Sequence, residues 1–156
     1  MTGGAHIARL ILTVCCLLLI AYFTLSFLYV GYSTLDYPFH LEWMEGQFID
    51  VIKRVLDGKP LYTAPTIEYV PFIYTPLYFY VSALVASLTG IDFFPARLVS
   101  FLSAIRIGIL MYAWLRKENA SRAVSIISAG FFFATYKLSG RWFDVARVDS
   151  LFLLLT

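Results

Sequence analysis

The 156-residue chain is 60% hydrophobic and 14% charged, with a formal net charge of +2 and a mean hydropathy of +0.78, whereas ordinary soluble domains carry roughly a quarter charged residues. That composition excludes a typical water-soluble globule, and the scatter of the basic residues excludes a nucleic-acid partner. The two cysteines, Cys15 and Cys16, are adjacent inside the most apolar stretch, so neither a disulfide framework nor a thiolate metal cluster is expected.

Leu10 to Leu35 contains no charged residue and exceeds the roughly 20 residues a helix needs to cross a hydrocarbon core. The expectation is a retained spanning helix over about 10–33. A cleaved leader behind Arg9 is the competing reading, but the run is longer than the usual apolar core of roughly 7–15 residues and lacks a small-x-small exit.

Leu41 to Leu56 has helical periodicity, with Leu41, Met44, Phe48, Ile52 and Val55 recurring along one side, and Gly58 followed by Pro60 marks its end. At 100° per residue Glu45 falls inside the apolar stripe and Glu42 on its edge. A buried acid needs a partner or a task. Arg97 is one candidate partner that would merely pin the loop, while Glu42 and Glu45, three residues apart, could also face one cation or one proton donor.

Three more apolar segments follow: Thr75 to Gly90, Leu98 to Leu115 interrupted by Arg106, and Ala123 to Tyr136. If all three crossed, the basic loop from Arg116 to Arg122 would lie opposite Arg9, against the positive-inside tendency. Thr75 to Gly90 is the weakest, reaching about 24 Å as a helix and beginning beside Pro71 and Pro76; it is expected to be re-entrant or interfacial. The resulting map has a cytoplasmic N-terminus, an outer loop over about 34–95, and spans over about 96–115, 122–138 and from 150 onward. The last apolar run, Leu151 to Leu155, has no closing charge, so the chain reads as the front part of a longer all-α integral membrane protein. On this map every acid but Glu118 lies outside or at the outer interface, and Arg106, near the middle of its helix, is expected to face the bundle interior beside an acid or a lipid phosphate.

Several motifs recur in a recognisable order: Leu41-Glu42-Trp43-Met44-Glu45-Gly46, then Leu56-Asp57-Gly58-Lys59-Pro60-Leu61-Tyr62, Tyr74-Thr75-Pro76-Leu77-Tyr78, Pro95-Ala96-Arg97-Leu98, and Ala146-Arg147-Val148-Asp149-Ser150. The succession resembles the N-terminal module of GT-C class membrane glycosyltransferases of the family 39 type, which includes protein O-mannosyltransferase-like and aminoarabinose transferase-like enzymes. The resemblance implies a GT-C-like helical bundle in the bacterial inner membrane, with a large first outer loop carrying juxtamembrane helices and a lipid-linked sugar donor at its outer surface. It places one catalytic acid after the first helix and another at the outer start of helix four. Asp149 matches the second. The first motif departs from the family pattern: its glutamate matches Glu45, but Met44 occupies the aspartate position, which leaves Glu45, Glu42 or Asp36 as the loop acid.

What the resemblance implies chemically is transfer of a sugar from a polyprenyl phosphate to an acceptor hydroxyl. A carboxylate takes or orients the hydroxyl proton, and positive charge stabilises the departing phosphate. Arg97, Arg147, Arg141 and Arg106 are the candidate cations, and a divalent metal, magnesium or manganese, held by Glu45 and Asp149 is the alternative source. Tyr74 and Tyr78 are candidates to line the donor groove, against a simpler role in an interfacial aromatic belt. A transporter or channel segment, with Arg106 and the acids lining a polar path, and a non-catalytic scaffold subunit are the rival readings.

Overall fold

A computed structural model describes residues 2–156, with side chains from Gly4 onward. The described residues form six helices and no strand: α1 (Thr2–Thr34), α2 (Glu45–Leu56), α3 (Leu77–Thr89), α4 (Phe93–Lys117), α5 (Arg122–Ala134) and α6 (Asp149–Leu155). Two of them, α1 and α4, are long and apolar enough to cross a membrane. The apolar helices α3 and α5 have 13 residues each, a rise of about 20 Å.

The helix ends follow local chemistry. After α2, the Lys59 N–H donates to the Arg54 carbonyl (2.9 Å) and the Gly58 N–H to that of Val55 (3.1 Å). Gly58 has φ 67°, so the stop expected there is a Schellman motif built on the residue type that tolerates that conformation. Asn119, with φ 63°, plays the same part after α4. Asp92 caps the start of α4 by accepting from the Phe94 N–H at 2.9 Å, and Ser121 caps α5 by accepting from the Val124 N–H.

The expected helix over 41–56 begins only at Glu45. The cause lies in the two glutamates. The Met44 N–H donates to Glu42 Oε2 at 2.9 Å and not to the carbonyl four residues earlier, as a helix begun at Leu41 would require, and the Leu41 N–H donates to Glu45 Oε2 at 2.7 Å. Similarly, α5 stops at Ala134 rather than near 138, and turns lead to Gly140 and Arg141, both at positive φ.

Two apolar cores flank α4. One joins α2 and α3 to the start of α4 through Phe48, Val51, Ile52, Tyr78 and Phe79. The other centres on the fully buried Phe27 of α1, whose ring meets Phe133 at 5.0 Å and Tyr136 at 5.1 Å between centroids. Gly130 of α5 packs against α1, and a Cβ there would overlap the Ile20 side chain. Gly130→Val is expected to weaken the α1–α5 packing by about 1–3 kcal/mol, readable as a lower denaturation midpoint; an unchanged midpoint would show that Ile20 moves aside freely.

Candidate functional site

Arg97 and Glu45 meet where the two cores join, and neither is exposed. Arg97 Nε donates to Glu45 Oε1 at 3.0 Å and Nη2 to Oε2 at 2.7 Å, a forked pair. The remaining guanidinium protons go to carbonyls at the end of α1 and beyond it: Nη1 to Thr34 (3.0 Å) and Tyr37 (2.6 Å), Nη2 to Phe39 (2.7 Å). Glu45 also accepts from the backbone N–H of Leu41 and, at 2.7 Å, from that of Ala146. Burial works against its charge, but Arg97 and the two amides together hold its carboxyl below the ordinary 4.5.

All five guanidinium protons and both carboxylate oxygens are therefore engaged. Of the two expected readings, this geometry matches the one in which Arg97 pairs with the acid and pins the loop. Glu45 has no oxygen left to receive a proton from a substrate, and Arg97 has no donor left for a phosphate. The pair ties α1, α2, α4 and the segment before α6 into one unit. Tyr78 is likewise a core residue: it is buried, and its hydroxyl donates to the Ala96 carbonyl at 2.9 Å and sits 3.1 Å from Ser100 Oγ.

Closer to the surface, Arg147 gathers three of the other sequence candidates. Its Nε donates to Asp149 Oδ2 at 2.8 Å, and its Nη1 lies 3.4 Å from Glu42 Oε1 and 3.6 Å from Met44 Sδ. The Trp142 ring stacks over the guanidinium at 4.0 Å. Desolvation disfavours the arginine charge, but Asp149 and then Glu42 outweigh it, and its pKa is raised above the ordinary value. Among the described residues Nη2 has no hydrogen-bond partner. The Asp149 side chain is 44% exposed and that of Glu42 12%, so the cluster opens outward at its Asp149 side. Tyr74, half-buried, is near enough to Arg147 for the two to interact electrostatically.

Position also decides the remaining candidates. Asp36 lies in a recess with Tyr37, Asp50 and Asp92, whereas Glu42 and Asp149 gather at Arg147. Arg106, expected inside the bundle, is on the outside of α4 beside exposed Leu102 and Ile109. The reason is helical phase: Ser103, Ala104, Ile107 and Gly108 form the buried face, and Arg106 falls away from it. No acid pairs with it among the described residues.

A divalent cation between Glu45 and Asp149 does not suit this arrangement. The Glu45 oxygens are saturated and buried, and the Arg147 charge stands beside Asp149. Trp142 was missed from sequence because nothing local ties an aromatic to an arginine five residues later; only the turn after Gly140 brings the two together.

No family model, no curated protein and no solved structure matches the chain.

Proposed function

We propose that the chain is the N-terminal part of a multi-pass membrane glycosyltransferase of the GT-C class. It would transfer a sugar from a polyprenyl phosphate to an acceptor hydroxyl at the outer face of a bacterial inner membrane, with the N-terminus in the cytoplasm. The two long apolar helices support membrane integration. So do leucines 18, 19 and 25 of α1, which are exposed and suited to an apolar surrounding.

The observation that carries the chemistry is Arg147, held between two carboxylates with one terminal nitrogen unused. In the proposed reaction Glu42 receives the acceptor's hydroxyl proton while the acceptor oxygen bonds to the sugar C1. The C1–O bond to phosphate breaks, and its electron pair leaves with the polyprenyl phosphate, whose charge Arg147 Nη2 meets. Asp149 orients Arg147 and, from its exposed side, the acceptor. Met44, where the family has aspartate, contributes a thioether against the guanidinium, so the loop acid shifts to Glu42. The rival transporter reading has Arg106 and the acids line a polar path; flux without glycosyl transfer by the full-length protein would favour it.

Arg147→Lys tests this reading. Lysine keeps the charge but not the fork, so the full-length protein in liposomes should require roughly tenfold or more donor for half-maximal transfer. Unchanged donor dependence would overturn the role given to Arg147. Absence of transfer by the unaltered protein from polyprenyl-phosphate sugars would overturn the function.

A further inference from the structure

Two arginines interrupt the apolar course of α4 before its last turn. Arg97 is consumed inside the bundle, but Arg106 stands on the side of α4 away from its packed face. Leu102, Ile109, Leu110 and Ala113 share that side with it, and all are exposed. The result is an apolar stripe with a single charge near its middle.

Depth removes the usual means of satisfying that charge. Along α4 the backbone at Arg106 is about 16 Å from that at Lys117 and about 20 Å from that at Phe93. Both spans exceed the reach of an arginine side chain, so snorkelling to a headgroup phosphate at either end is excluded. A second copy of this chain is no better a source of counter-charge. The apolar helices α1, α3, α4 and α5 contain no aspartate or glutamate, and the acid of α6 is its first residue.

We propose that this stripe of α4 is an intramembrane docking surface for an apolar helix that carries one carboxylate near its middle, paired with Arg106. The proposal rests on membrane integration and not on sugar transfer. Charge complementarity selects the occupant: in hydrocarbon a guanidinium and a carboxylate each need the other, and the two match as a fork. Leu102, Ile109 and Leu110 supply packing on either side of the pair, and Ala113 lets the second backbone come close.

A spin label at Leu102→Cys of the full-length protein in liposomes, with the other cysteines replaced, reports access of lipid-dissolved oxygen to the stripe. If the acid-bearing helix belongs to the same polypeptide, the label is shielded. Arg106→Glu and, less strongly, Arg106→Gln then uncover it, while Arg106→Lys leaves it shielded. If the helix belongs to a separate protein, the label is open. A leucine-rich spanning peptide with one central glutamate then associates about tenfold more tightly than its all-leucine counterpart. That preference is lost in Arg106→Leu and passes to a central-lysine peptide in Arg106→Glu. A second label at the exposed Leu18 of α1, with unchanged access, shows that the variants keep their fold. Shielding unaltered in both Arg106→Glu and Arg106→Gln, or an open label without preference for the glutamate peptide, overturns the docking surface. A Leu102 label reached by a water-soluble nickel chelate rather than by oxygen overturns it together with membrane integration.

Discussion

Glu45→Gln is expected to destabilise the protein by about 3–5 kcal/mol, the usual cost of leaving one charge of a buried ion pair unpaired. The amide puts an NH2 group in place of one carboxylate oxygen, against either Arg97 Nε and the Ala146 amide or Arg97 Nη2 and the Leu41 amide, and the guanidinium stays in the core without a counter-charge. Replacing both members with apolar residues, which rescues many buried pairs, is not expected to help here. The carbonyls of Thr34, Tyr37 and Phe39 and the amides of Leu41 and Ala146 would all lose their partners. Chemical denaturation in detergent, for the single and paired variants, measures both effects. A Glu45→Gln protein that is inactive yet as stable as its parent would return Glu45 to the chemistry. The acid dependence has a definite sign. Because the fold lowers the Glu45 pKa from 4.5, its contribution is complete above that value and is lost as pH falls through the folded-state pKa. Asp144 acts oppositely: its raised pKa gives stability that is complete below the ordinary carboxylate value and lost as pH rises through the folded-state pKa.

The second large effect concerns the chemistry. Glu42→Gln removes the proposed proton acceptor, and loss of a general base lowers rates by about 10²–10⁴-fold. Asp149→Asn removes the charge that holds Arg147 Nε at 2.8 Å and is expected to cost at least about a hundredfold by letting the guanidinium turn from the donor phosphate. Because both acids work on one arginine, the double variant should fall well short of the product of the two losses. Initial rates of sugar transfer by the full-length protein, with its folded fraction checked in parallel, decide this. Transfer unchanged in both single variants would remove Glu42 and Asp149 from the site. Neither substitution should lower stability as far as Glu45→Gln, since both side chains keep a solvent-accessible edge.

Local chemistry was readable from the chain wherever the deciding partners were sequence neighbours. The stop at Gly58 is one such feature, and the extent of uncharged residues in α1 is another. The phase of α2 showed that Glu45 is buried and that Arg97 is a plausible partner, but it did not distinguish a saturated structural acid from a reactive one. That distinction depends on the amide of Ala146, 101 residues away, which no local pattern predicts. Arg106 illustrates a different limit. A mid-helix charge suggested an inward position, but the small residues Ser103, Ala104 and Gly108 set the packed face, and their influence emerges only when α5 and α6 are in place. Met44 looked like a lost carboxylate; its sulfur beside Arg147 makes it part of the wall instead.

The Glu45–Ala146 contact also sets an order of events during synthesis. Arg97 can gather the carbonyls at the end of α1 and beyond once α4 has emerged, but the last amide on Glu45, and with it the segment presenting Trp142, Arg147 and Asp149, lies well beyond the end of α4 at Lys117. Contacts of such long sequence separation form late. A nascent chain halted between Lys117 and Val145 would thus hold the arginine anchor without the cluster it supports, and the two should acquire protection from hydrogen exchange at separate times.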